Sequence, residues 1–130
     1  MTFVLDTNVW SEIARGVGRA GRKLSSVPLT QVVIPAPALY DLMRLPSSSP
    51  AKKALVRFIE HIVSTYEVAP LDRAAAEAAA DMANALTAKG RQISHLDTMI
   101  AGIAVARSAV LVTRDKDFWG VAGLKVEDWF

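Results

Sequence analysis

Three short runs, "FVL" at Phe3–Leu5, "VVI" at Val32–Ile34 and "VLV" at Val110–Val112, are apolar at every position. A strand with one wet face alternates apolar and polar residues. A run with no polar member belongs to a strand buried on both faces, the pattern of a parallel sheet covered by helices. Helical spacing fills the gaps between these runs. "NVWSEIARG" has apolar residues at Val9, Trp10 and Ile13 and a stop at Gly16. A short helix is expected over Ala38 to Leu45, then a turn and helix start at "PSSSP", Pro46 to Pro50. A helix over Ala51 to Ser64 follows, with Leu55, Phe58, Ile59 and Ile62 on one face. "YEVAP" offers a brief strand before Pro70. Asp72 caps a long helix through Lys89 that ends at Gly90, and Ser94 can cap the next. In that last helix Ala101, Gly102 and Ala104 would let it approach a sheet closely. Lys125 and Val126 make a final short strand. Strands alternating with helices imply an α/β fold, a three-layer α/β/α sandwich with a mainly parallel central sheet. The 130 residues suit one domain, residues 1–130.

Several classes are disfavoured at once. No apolar run reaches the roughly 18 residues needed to cross a bilayer, and no secretory signal is visible at the N-terminus; no membrane role is expected. With no cysteine, disulfides and thiolate metal sites are excluded, and a reducing cytosol is the natural, cytoplasmic compartment. Any metal must be held by oxygen or by His61 and His95. The formal net charge is +2, a weak pointer to a polyanionic partner. Basic stretches occur at Arg15, Arg19, Arg22 and Lys23, and at Lys52, Lys53 and Arg57; both also suit solvated helix faces.

The informative residues are aspartates. In parallel sheets ligands bind beyond the C-terminal strand ends. Asp6 follows the first strand and Asp115 the "VLVT" strand, which puts both in that zone. Each acid also has an ordinary reading. Asp6 can cap a helix, Asp41 can lie exposed on an amphipathic helix, Asp97 stands at capping-box spacing from Ser94, and Asp115 and Asp117 can form a turn. Together they say more. Asp6, Asp41, Asp97 and Asp115 can meet at one sheet edge, where four carboxylates would raise one another's pKa unless a cation intervened. Oxygen-only ligands favour Mg²⁺, with Mn²⁺ possible, over zinc.

"FVLDTNVWSEIARG", "ALYDLMRL", "ISHLDTMIAGIAVARSAVLVTRDKDF" and "GLKVEDWF" resemble the PIN-domain ribonucleases over essentially the whole chain. The likeness is greatest to VapC-like toxins of bacterial type II toxin–antitoxin modules. That resemblance implies a metal-dependent endoribonuclease that cuts structured RNA, often tRNA or rRNA, until a VapB-like antitoxin blocks it, and it implies a homodimer. It marks Asp6, Asp97 and Asp115 as metal ligands, with Asp41 completing the catalytic acids where the family usually has glutamate. Thr7, Asn8, Thr113 and Asp117 take the supporting places.

Two other readings compete. One is a non-catalytic PIN-like module that binds protein or RNA, although such modules can lose the acids that this chain keeps. The other is a phosphatase with Asp6 as nucleophile. That chemistry wants a second acid two residues on, and Asn8 stands there. No Gly-rich phosphate loop follows a strand, which disfavours a nucleotide-cofactor enzyme.

Overall fold

The computed structural model describes residues 1–44 and 50–130. Five parallel strands form one sheet: β1 (Phe3–Leu5), β2 (Val32–Pro35), β3 (Glu67–Ala69), β4 (Val110–Val112) and β5 (Lys125–Glu127). Their spatial order is β3-β2-β1-β4-β5. Among the described residues, the helices between them are α1 (Thr7–Arg15), α2 (Ala20–Ser25), α3 (Ala36–Met43), α4 (Pro50–Thr65), α5 (Arg73–Ala88) and α6 (His95–Ala106). Strand order reverses between β1 and β4. Successive crossovers leave on opposite sides there and open a crevice at the strand ends.

The apolar strand runs are explained by two cores. Val4, Val33 and Leu111 face one way and pack with α5 and α6 residues such as Ala75, Met82, Ile100 and Ala104. Phe3, Leu5, Val32, Ile34, Val110 and Val112 face the other way, against Val9, Trp10, Leu42, Ile59 and Ile62. Each strand feeds both layers by its period-two geometry, so no position on it can be polar. The α/β/α sandwich expected from the sequence is the one observed.

Helix ends follow their local chemistry. Gly16 ends α1 with φ of 68°, in the left-handed region that glycine adopts without strain. Asp72 and Ser94 cap α5 and α6 by accepting from the backbone N–H groups of Ala75 and Asp97. Helix α3 starts two residues earlier than expected, with Pro37 in its first turn, where a missing N–H is harmless. The turn expected at Pro46 to Pro50, and the expected helix end at Leu45, fall on residues 45–49, outside the described residues; α4 begins at Pro50. Helix α2 had no sequence signal beyond its charges: Arg22 and Lys23 lie on it, and Ala20 and Leu24 are buried.

Gly102 corrects one expectation. Its close neighbour is helix α5, not the sheet. A Cβ there would lie 2.5 Å from the Ala75 carbonyl oxygen and 2.7 Å from the Ala79 Cβ. The alanine face of α5 and this glycine bring the two helices together, which fixes the helix that carries Asp97. Of the aromatic residues, Trp10 and Trp129 are core, the latter 5.4 Å from the Phe3 ring, while Trp119 is exposed. Among the described residues, no helix is long and apolar enough to cross a membrane.

Candidate active site

Beyond the strand ends at the β1/β4 reversal, Asp6 feels the charges of Asp97 and Asp115. Asp6 leaves β1 and caps α1, and is only 3% exposed. Its Oδ1 accepts from the Thr7 N–H at 2.7 Å, and its Oδ2 accepts from the Thr113 hydroxyl at 2.7 Å. The Asn8 amide reaches Oδ2 at 3.4 Å. Thr113 is fully buried at the end of β4, and its hydroxyl oxygen accepts the Asp115 N–H at 3.0 Å. One hydroxyl thus ties the first strand's acid to the loop that carries the last. Asp115 caps a short 3-10 turn, Lys116–Phe118, through the Asp117 N–H at 2.9 Å. Asp97 sits in the first turn of α6, half-buried, and its N–H donates to the Ser94 hydroxyl at 3.1 Å. The capping readings hold for Asp6 and Asp115. A cap holds a carboxylate in place without consuming all its lone pairs.

Electrostatics show that the acids share a space. Burial raises the Asp6 pKa from 3.8 to about 6 against the pull of the Thr113 and Thr7 hydrogen bonds, and the nearby Asp97 and Asp115 charges raise it further. Asp97 is also pushed up, first by burial and then by Asp115, Asp41 and Asp117, while its hydrogen bond with Ser94 opposes this. The structure therefore brings Asp6, Asp41, Asp97, Asp115 and Asp117 into one electrostatic neighbourhood, although they come from four separate segments.

An all-oxygen, mutually repelling donor set suits a hard divalent cation. Among the described residues, no three His, Asp or Glu side chains stand close enough to hold an ion by themselves. The set fits an ion bound through one or two carboxylates with water completing its shell, the usual manner for Mg²⁺. The Thr7 hydroxyl is buried and has no hydrogen-bond partner among the described residues.

Two residues at the rim escaped the sequence reading. Glu12, on α1, has a side chain only 11% exposed, and its Oε2 lies 3.7 Å from the Arg114 guanidinium. Glu12 is four residues after Asn8, so both project from one helix face. Asn8 accepts the Arg114 backbone N–H at 3.3 Å. The i, i+4 pairing of Asn8 with Glu12 was the available signal.

Comparison with known proteins agrees with this geometry. The chain matches the PIN domain family over residues 3–124. It is similar to a protein of Shigella flexneri described as a tRNA(fMet)-specific endonuclease VapC, with 29% identity covering 99% of this chain and 98% of that one. Among solved structures it is similar to the DNA-bound VapBC of Salmonella typhimurium, with a TM-score of 0.89 and 27% identity over 100% of this chain and 99% of that one. It shares its fold with VapBC2 from Rickettsia felis, with a TM-score of 0.89 and 23% identity over 100% of both chains.

Proposed function

The chain belongs to the PIN domain family, and on that premise we propose that it is a metal-dependent endoribonuclease, the toxin of a type II toxin–antitoxin module. The convergence of Asp6, Asp97 and Asp115 at the strand-order reversal carries this reading. The similarity to a tRNA-specific endonuclease along nearly the whole chain supports it.

Asp6, Asp97 and Asp115 would hold the ion, Mg²⁺ or alternatively Mn²⁺, one or two of them directly and the rest through water, and Asp41 would add charge from α3. A bound divalent cation supplies a Lewis acid that lowers the pKa of water and offsets negative charge on a phosphate. The chain's own part is positioning. Thr113 holds one oxygen of Asp6 and the Thr7 N–H holds the other, so this carboxylate cannot rotate. Asn8 braces the oxygen that Thr113 holds, Oδ2, and ties α1 to the loop after β4. Ser94 sets the first turn of α6 and with it the Asp97 backbone. The reaction is hydrolysis of an RNA phosphodiester: water adds at phosphorus and the 3′-oxygen leaves. The products carry a 5′-phosphate and a 3′-hydroxyl.

The RNA is tRNA or rRNA, recognised by shape and exposed loops instead of by base edges within a helix. A VapB-like antitoxin is the proposed partner, supported by the likeness to VapBC structures. The working form is a cytoplasmic homodimer. The test is cleavage of bulk tRNA and rRNA by purified protein with Mg²⁺. Asp97→Asn is expected to abolish cutting while the chain stays folded. A variant that cuts as well as wild type would overturn the assignment.

A further inference from the structure

Five aspartates in one electrostatic neighbourhood repel the polyanion this chain is proposed to cut, so a cation nearby is needed to seat it. Lysines and arginines on open helix faces do this loosely, because long side chains lose rotamer freedom when they bind. Arg114 is different. It follows Thr113 directly, and its backbone N–H is held by Asn8, a neighbour of the Asp6 carboxylate. Its guanidinium is pinned on one edge by the buried Glu12 carboxylate at 3.7 Å, and on its face by the Phe130 ring, 4.8 Å away. Gly18, with φ of 73°, lies directly against Glu12; a Cβ there would strike the carboxylate. The support beneath the arginine is therefore itself packed in place. Yet the Arg114 side chain remains 64% exposed.

We propose that Arg114, on the loop between Thr113 and Asp115, is a preorganised phosphate clamp held in position by Glu12 and Phe130. The proposal rests on the ribonuclease reading and names the residue that seats the RNA backbone beside the acids. A planar guanidinium already fixed on two sides offers a bidentate fork to a phosphate without first being ordered. Its ligand is the phosphodiester backbone, not a base, so its effect is uniform across RNA sequences and weakened by salt. Glu12 and Phe130 are positioning residues that act through the arginine.

Binding of end-labelled bulk tRNA is measured in EDTA over a salt series, and steady-state cleavage of the same tRNA is measured with Mg²⁺. Arg114→Ala is expected to weaken binding and to raise KM about tenfold, as for loss of one charge-assisted contact. It should leave kcat within about twofold, the mark of binding lost equally from ground and transition states. Its salt slope should become shallower by about 0.7, one single-stranded phosphate contact. Arg114→Lys keeps the charge but loses the fork and the ring contact, so it should fall between wild type and the alanine variant. Because it preserves size and charge, it guards the test against misfolding. Glu12→Ala should raise KM with no change in salt slope, since the phosphate contact is loosened, not removed. Wild-type binding, KM and slope in Arg114→Ala would overturn the clamp. So would a loss confined to kcat. A wild-type protein that binds tRNA with the expected slope yet cleaves none would instead refute the ribonuclease reading.

Discussion

Replacing Asp6 by asparagine should make the metal-free protein more stable, although it destroys the proposed site. The Asp6 pKa rises on folding from 3.8 to about 6, chiefly through burial. Below pH 3.8 the carboxyl is protonated in both states and there is no penalty. As pH climbs to about 6, the unfolded chain ionises first, and the folded state binds the extra proton. Stability therefore falls with rising pH across that window and stays lowered above it. About two pH units at ~1.4 kcal/mol each set a ceiling of about 3 kcal/mol on this loss. Asparagine removes the charge and is an equally good helix cap, with a side-chain oxygen that can still accept the Thr7 N–H. In EDTA at pH 8, Asp6→Asn should melt higher than wild type, by up to ~10 °C for a domain of this size. At pH 4 the two should nearly coincide. Adding Mg²⁺ should lift wild type and leave the variant unmoved, because the ion stabilises only the form that binds it. Thermal melts at the two pH values, with and without Mg²⁺, are the assay. A variant less stable than wild type at pH 8 in EDTA would refute the reasoning and leave Asp6 as a structural cap alone.

Gly102→Ala should destabilise by at least ~2 kcal/mol, since its Cβ would meet backbone atoms of α5 that cannot move singly; urea denaturation measures it. Ser94→Ala removes the cap of α6 and should cost about 1 kcal/mol in the same assay. Asp41→Glu extends the acid by one methylene toward the length usual in the family, and cleavage should be kept or raised; a complete loss in a folded variant would show that the α3 acid is fitted to its shorter reach.

The centre of the sheet was readable because β1, β2 and β4 carry no polar residues at all, and full burial on both faces leaves nothing else they could be. The caps at Asp72 and Ser94 were readable because their chemistry is local. Helix α3 began early because Pro37 punctuates the chain yet is tolerated in a first turn, so the proline pair marked an entry where an exit was expected. Helix α2 is six residues long with two buried side chains, too short for any period to emerge. Asp6, Asp41, Asp97 and Asp115 were read as a set because a parallel sheet gathers strand ends and helix starts at one edge; the mutual charge effects on Asp6 and Asp97 agree with that grouping, and they add Asp117, which was read only as a supporting residue. Glu12 was passed over because an acid on a surface helix is normally solvated. It is packed here against what lies beyond the helix, the Gly18 turn and the Arg114 side chain, and the second of these is about a hundred residues away in the chain and leaves no local pattern. Gly102 was attached to the wrong neighbour for a related reason: a small residue announces a close approach without naming what approaches.

Leu5 of β1 stands directly opposite Val112 of β4. The residues that follow, Asp6 and Thr113, therefore emerge one interstrand spacing apart, about 4.8 Å, a length set by backbone pairing and by nothing in the side chains around them. Chemistry built on that pair is insulated from its surroundings. The connecting segments can be lengthened, shortened or recoloured to suit another RNA or another inhibitor, and the reactive centre keeps its dimensions.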